Sequence, residues 1–390
     1  MNLLDVQTYL RELKLGGWLF FDHHHRDPLA YRILGLAPDL HVTRRWYYFV
    51  PATGEPLKLV HRIESRVLDS LEGIKLVYSS WAEQTSQLDG MLRNAGKIAM
   101  QYSPQCAIPY VAMVDAGTVE LIRGTGAEVV SSAELIQFFE ARLDEDSLTS
   151  HVCAARIVDR VRRDAFHFIA DAHQGERTID EFAVAEFIRS QFSNAGLITD
   201  SGPIVAANDH AGDPHYEPSA GNSSLIRRGD FVLLDMWAKL KTPNAIYYDI
   251  TWAGYCGDQI PEEYQEIFAL VRQARDAAAE CVRSAFASGL PLHGFEVDDA
   301  ARDVIRQGGF SDRFVHRTGH SIGVEVHGNG ANMDNLETHD DRRVTPWSCF
   351  SIEPGIYFDH FGVRSEIDIF LEDRTPKVAG EIQEELVRII

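Results

Sequence analysis

Four acidic residues of this chain lie inside apolar runs, where an unpaired carboxylate is costly. Asp235 sits in FVLLDMWA, Asp249 in AIYYDITWAG, Glu353 in CFSIEPGIYF and Glu366 in FGVRSEIDIF. The two aspartates belong to one segment, Gly229 to Gly254, whose apolar runs flank the turn-like KTPN. It reads as a β-hairpin that brings them close across the ladder. Taken alone, the pair is compatible with a cation site or with two surface-facing aspartates on an edge hairpin. Around Glu366, period-2 geometry puts Arg364, Glu366 and Asp368 on one face, opposite Val363, Ile367 and Ile369. A buried glutamate without a partner tends to be neutral, whereas one bound to a metal stays ionised.

Three histidines, His316, His320 and His327, fall within HRTGHSIGVEVHG. Gly319 and Gly323 argue against a continuous helix, so a loop and a following strand display these imidazoles. Four carboxylates with one imidazole make an oxygen-rich ligand set suited to Mn, Co, Fe or Zn. Their four negative charges balance two divalent cations. Two such metals acidify a water between them and stabilise a tetrahedral intermediate, the logic of metal-assisted hydrolysis.

The elements that must position these residues follow from pattern. The 390-residue length exceeds the usual size of one hydrophobic core. Residues 3 to 14 have helical spacing, and strand-like runs follow at Trp18 to Phe21, Trp46 to Val50, Lys97 to Met100 and Val129 to Val130. This predicts an α/β domain over 1–150. Over 151–390 the pattern is α+β: an amphipathic helix at Val158 to Ala172, a capping box from Thr178 to Glu181 opening a second helix, the hairpin, a helix from about Glu262 to Ser288, and further strands to residue 371.

The order Asp, Asp, His, Glu, Glu in LLDMWA, YYDIT, TGHSIG, SIEPGIY and GVRSEID resembles the pita-bread metallopeptidases, which include methionine aminopeptidase, aminopeptidase P and prolidase, with creatinase as a metal-free relative. The match spans roughly residues 155 to 385, and the first 145 or so are similar in size and position to the creatinase-type N-terminal domain of prolidases and aminopeptidase P. The resemblance implies a pita-bread fold and two divalent metal ions. In it Asp235 chelates one metal, His320 and Glu353 bind the other, and Asp249 and Glu366 bridge them. Glu353 is also the implied proton shuttle. His327 matches a histidine that steadies the substrate carbonyl, His215 in DPHYEP one that contacts substrate near the scissile bond, and His316 one of the prolidase and aminopeptidase P branch. Tyr357 and Arg364 match a pair that orients the metal-binding carboxylates and favours the proline-directed branch.

The implied activity is exopeptidase cleavage next to proline, either of an Xaa-Pro dipeptide or, as in aminopeptidase P, of a longer peptide. The same fold also accommodates a small-molecule hydrolase or lyase, or a non-catalytic scaffold. Two departures bear on the choice. HRTGHSIG carries Arg317 and Ser321 where many relatives have glycine. In NLETHDDRRVTPW, the register at which prolidases place an arginine for the dipeptide carboxylate falls near His339, with only Arg342 and Arg343 close.

Elsewhere the sequence mostly excludes. A formal charge of −21 works against nucleic acid and anionic membranes. Five scattered cysteines without a CxxC pair fit a reducing compartment, and the start MNLLDVQTYLRELKLGG lacks a signal peptide's apolar stretch, so a cytoplasmic protein is expected. Relatives are commonly dimers, so a homodimer is expected too. His23, His24 and His25 have two readings: a solvated loop, since adjacent histidines on an extended chain point in alternating directions, or a lip over a partner subunit's active site.

Overall fold

The computed structural model describes residues 2–390, which divide into two compact units, 2–141 and 142–390. The first is a six-stranded sheet of β1 (Gly17–Asp22), β2 (Trp46–Pro51), β3 (Leu57–His61), β4 (Ile74–Tyr78), β5 (Lys97–Met100) and β6 (Glu128–Ser131), in the order β4-β3-β2-β1-β5-β6. Alternation along β1 explains its two-sided core. Trp18 and Phe20 pack on one face with α1 (Leu3–Glu12), α2 (Pro28–Leu34) and α5 (Ala133–Glu140). Leu19 and Phe21 pack on the other with α3 (Trp81–Leu92) and α4 (Ala116–Arg123).

The second unit opens with α6 (Glu145–Gln174) and α7 (Glu181–Asn194). The strands β7 (Leu197–Ile198), β8 (Ile204–Ala207), β9 (Phe231–Leu240) and β10 (Tyr248–Tyr255) then form a sheet that β17 (Val387–Arg388) joins beside β10. Between them run α8 (Glu262–Ser288), α9 (Gly294–Gln307) and a second sheet, β11 (Ser321–Ile322), β12 (Cys349–Ile352), β15 (Ile367–Glu372) and β16 (Thr375–Val378), with β13 (Gly355–Tyr357) and β14 (Gly362–Arg364) as a separate hairpin. On β9, Val232, Leu234 and Met236 face α6 and α7. The alternate residues Phe231 and Leu233 face the core shared with α8 and α9. Asp235 continues that second row, so period 2 aims it towards the later strands.

The expected hairpin and the helix Glu262–Ser288 are present. Helix α6 begins at Glu145, earlier than the expected Val158, because Asp144 caps it by accepting from Ser147 N. The capping box at Thr178 is corrected: Asp180 is the N-cap, accepting from Ala183 N at 2.7 Å. Glu181 is turned inward instead. Its buried carboxyl accepts from Ala207 N, His210 Nδ1, Tyr216 OH and Ser224 N at 2.6 to 2.9 Å. That knot fixes the loop carrying His215. Helix α9 has no counterpart in the expected pattern. Among the described residues no helix is long and apolar enough to cross a membrane.

Glu181→Ala leaves the N–H groups of Ala207 and Ser224 without this acceptor, so it is expected to destabilise the second unit by about 2–4 kcal/mol. Urea denaturation measures this, and a loss under about 1 kcal/mol would show that the loop is held by other contacts.

Candidate metal centre

The β9–β10 ladder is the floor of the site. Asp235 pairs with Thr251 and Trp237 with Asp249, so the two aspartates are diagonal neighbours on one face. Glu366 approaches from the break between β14 and β15. Its N–H donates to Thr251 O, and its Oε2 accepts from Thr251 Oγ1 at 2.8 Å. His320 is fixed by its own N–H donating to Ser351 Oγ at 3.0 Å, and Glu353, just after β12, by its N–H donating to Thr318 O. His320 Nε2 then lies 3.6 Å from Asp249 Oδ2 and 3.4 Å from Glu353 Oε1.

A cation fits this cluster on two grounds. One ligand atom each from buried Asp249, His320 and Glu366 can be chosen so that all lie within 4.8 Å of one another. Asp249 Oδ1 and Glu366 Oε1 are also buried without any hydrogen-bond partner. Orphaned carboxylate oxygens in a dry site are costly, and a divalent ion satisfies both at once. Glu353 adjoins the cluster through His320. Asp235 adjoins it through Arg364, whose Nη2 donates to Asp235 Oδ2.

Arg364 also donates from Nε to Thr251 Oγ1 at 3.0 Å and from Nη1 to Tyr357 OH at 2.9 Å. The tyrosine hydroxyl lies 2.7 Å from His316 Nε2, and His316 Nδ1 lies 2.7 Å from Arg317 O. A carbonyl only accepts, so Nδ1 carries the proton and Nε2 accepts from the tyrosine. The hydrogen bonds run one way, Arg364 to Tyr357 to His316 to Arg317 O. Both nitrogens of His316 are thereby engaged, and burial lowers its pKa to about 4, keeping it neutral.

The electrostatics are those of crowded anions. Burial, then the charges of Asp235 and Glu353, push Asp249 well above the carboxylate range. Burial, then Asp249, Glu353 and Asp235, do the same to Glu366. Burial also raises Asp235, against the opposing charge of Arg364. Glu353 differs: burial pushes it up, but His320, His316, Arg364 and Arg317 outweigh that and hold it low.

His327 opens to solvent within a recess, its ring 4.4 Å from that of His320. Crowding by protein, then the charges of His320 and Arg317, lower its pKa to about 4. His215 is exposed between β8 and β9, and its ring has no hydrogen bond among the described residues. Arg342 is buried and committed, donating to both oxygens of Asp340 and to Asn329 O.

Two supporting residues lie beneath the cluster. Asp368 Oδ2 accepts from Asp249 N at 2.8 Å, and His151 Nε2 lies 3.8 Å from that oxygen while Nδ1 donates to Tyr247 O at 2.7 Å. The sequence places Asp368 on the face of Glu366. His151 it leaves unmarked, the only signal being its position in the buried stripe of α6 with Ala154, Ala155 and Val158.

Known proteins share the fold. The family model described as metallopeptidase family M24 matches residues 150–373. The probable dipeptidase PepE of Mycobacterium tuberculosis is 25% identical over 328 residues, 83% of this chain and 80% of that one. The Xaa-Pro dipeptidase of Pyrococcus furiosus is 26% identical over 220 residues, 56% of this chain and 58% of the other. Among solved structures, dipeptidase PepE from Mycobacterium ulcerans superposes with a TM-score of 0.70 at 22% identity, covering 99% of this chain and 96% of that one. Prolidase from Thermococcus sibiricus gives 0.61 at 22% identity, covering 99% and 98%. The expected pita-bread α+β fold with a smaller N-terminal α/β unit is borne out over nearly the whole chain.

The raised carboxyls of Asp249 and Glu366 give a signed pH dependence. A folded-state pKa above the unfolded value of about 4 means that, without metal, these groups contribute stability that is lost as pH rises. Metal must displace their protons. The thermal stabilisation gained when a chelator-stripped sample receives Mn is therefore expected to be larger near about pH 8 than near about pH 5.5. Differential scanning fluorimetry checks this, and equal gains at both values would count against proton competition at these carboxyls.

Proposed function

The chain belongs to metallopeptidase family M24 and is a peptidase, and from that premise we propose that it is an exopeptidase cutting next to proline, foremost in Xaa-Pro dipeptides. The observation that carries the metal-dependent part is the pair of orphaned buried oxygens on Asp249 and Glu366 beside His320. The proline preference is supported by the Xaa-Pro dipeptidase among the relatives and by the coupled Tyr357 and Arg364. A proline imide lacks an N–H, so a cleft shaped around the ring gains selectivity that ordinary peptidases lack.

In this proposal Asp235, Asp249, His320, Glu353 and Glu366 would hold the divalent cations, with Asp249, His320 and Glu366 as the central group. Mn, Co, Zn or Fe held there supplies Lewis acidity, which makes a water nucleophilic near neutral pH and polarises the scissile carbonyl. Arg364 sets the orientation of Asp235 directly and of Glu366 through Thr251. Glu353, whose pKa its neighbours hold low, takes a proton from the attacking water and returns it to the proline nitrogen as the C–N bond breaks. His327, neutral and at the edge of the cluster, donates a hydrogen bond to the carbonyl oxygen as charge develops. His215 borders the peptide from the exposed loop. His316 acts through Tyr357 rather than on substrate, as its engaged ring nitrogens require.

A second reading, cleavage of longer peptides with proline second, draws on Arg342. Its guanidinium is spent on Asp340 and Asn329 and is not offered to a dipeptide carboxylate. Arg317, whose charge reaches His320, His327 and Glu353, is the cation beside the site that suits a carboxylate. The five free cysteines support a reducing, cytoplasmic location, and the active form is proposed to be a homodimer.

Metal-loaded enzyme assayed on Ala-Pro and on Ala-Pro-Ala separates the two readings: a higher kcat/KM on the dipeptide is expected, and a strong preference for the tripeptide reverses the assignment. Asp249→Ala and Glu366→Ala are each expected to abolish both bound metal and turnover. His327→Ala keeps the metal but lowers kcat by about 10²–10³. Equal metal loss in all three, by elemental analysis, would remove the distinct role given to His327.

A further inference from the structure

The N-terminal unit contains a cavity of about 800 Å³ at one end of its sheet, bordered by His23, Arg26, Arg44, Arg45, His61 and Asp115. The protein as a whole is strongly acidic, but residues 1–141 hold 13 Lys and Arg against 16 Asp and Glu, while residues 142–390 hold 24 against 42. Three guanidinium groups on one cavity of the nearly balanced unit are therefore a local concentration of positive charge.

The acids nearby do not cancel it. Asp115 caps α4, accepting from Thr118 N and Thr118 Oγ1, and stands 4.0 Å from Arg26. Glu64 accepts from the backbone N–H groups of Thr43 and Arg44 and from the Thr43 hydroxyl. Glu83 is turned onto the N–H groups of Ser79 and Ser80. Arg44 folds one guanidinium nitrogen back on Thr43, and neither it nor Arg45 pairs with a carboxylate among the described residues. Ser79, Ser80, Gly117 and Thr118 also border the cavity, so the first turns of α3 and α4 add backbone partial charge of the same sign.

The loop supplying the histidines is held in shape. Buried Asp22 accepts from the N–H groups of His25, Arg26 and Asp27 and from Tyr31 OH. His24 and His25 adopt φ of 61° and 57°, a left-handed conformation that costs energy and persists here because Asp22 anchors the turn. The backbone is thus not extended, and the expected alternation of the three imidazoles fails. His23 and His24 both face the cavity, their rings 4.4 Å apart, while His25 packs on Tyr31 at 4.9 Å. Partial burial, then the charges of His24, Arg26 and Arg45, hold His23 below its ordinary pKa, as expected where cations crowd.

We propose that this cavity binds an oxyanion, the carboxylate or phosphoryl group of a small molecule, between the guanidinium groups of Arg26, Arg44 and Arg45. Arginine forks match the two-oxygen edge of either group, and the hydroxyls of Ser79 and Ser80 add donors at the cavity's border. The proposal concerns the N-terminal unit alone and stands whichever peptide the enzyme cleaves.

Isothermal titration of the metal-loaded full chain at low ionic strength tests it, with inorganic phosphate in one arm and N-acetylalanine, a carboxylate with a blocked amine, in the other. Saturable binding that weakens with added salt is expected, with affinity falling about tenfold or more in R44Q/R45Q and in R26Q while metal content and Tm are unchanged. The arm that binds more tightly identifies the group. Unchanged affinity in both variants would place the anion at the metal centre, and failure of both anions to saturate in the millimolar range would leave the cavity without this ligand. Either result overturns the proposal, as does a change of particle mass in R44Q/R45Q without anion binding, which would assign the face to contact between copies of the chain.

Discussion

Mutual repulsion among carboxylates withdrawn from water is the constraint on which the second unit turns. Asp235, Asp249, Glu353 and Glu366 are brought together with Arg364 as their near cationic partner and the imidazole of His320 beside them. In water such charges separate, and in a low-dielectric interior they take up protons or demand cations. Two antiparallel layers hold them from opposite sides, and backbone hydrogen bonds rather than side-chain packing fix each position: Glu366 N on Thr251 O, Glu353 N on Thr318 O, Asp249 N on Asp368 Oδ2. The residual imbalance is what gives the site its appetite for metal.

Arg364 distributes this constraint. Its three nitrogens reach Asp235, Thr251 and Tyr357, so one planar group ties both strands of the β9–β10 hairpin to the β13–β14 hairpin. A lysine offers the charge without the fork. The tyrosine and His316 extend the arrangement with a fixed hydrogen-bond direction that ends on a main-chain carbonyl.

Much of this is legible in the sequence because charge inside an apolar strand is rare enough to stand out. Asp235, Asp249, Glu353 and Glu366 announce themselves that way, and the Gly229 to Gly254 hairpin follows from its central break. Residues whose significance depends on remote partners are not legible. His151 sits in a helix stripe like any core residue and gains meaning only from Asp368. Glu181 reads as part of a capping box, and its inward turn is decided by Ala207, Tyr216 and Ser224 far along the chain. The histidine run 23 to 25 departs from the extended backbone that its sequence suggests, because Asp22 bends it into the left-handed region. Local pattern specifies elements; side-chain networks that cross between them need the fold.

The distances along the chain between site partners carry a kinetic meaning. Asp249 N and Asp368 are 119 residues apart, Thr251 and Glu366 are 115, and Arg364 and Asp235 are 129. The β9–β10 hairpin closes over a short loop, but its aspartates meet their partners only after α8, α9 and the second sheet have collapsed onto it, a high-contact-order step. The grouping of Asp249, His320 and Glu366 therefore exists only once the second unit is complete. A chain arrested before that step presents the two aspartates together on their hairpin while the imidazole and both glutamates are still elsewhere.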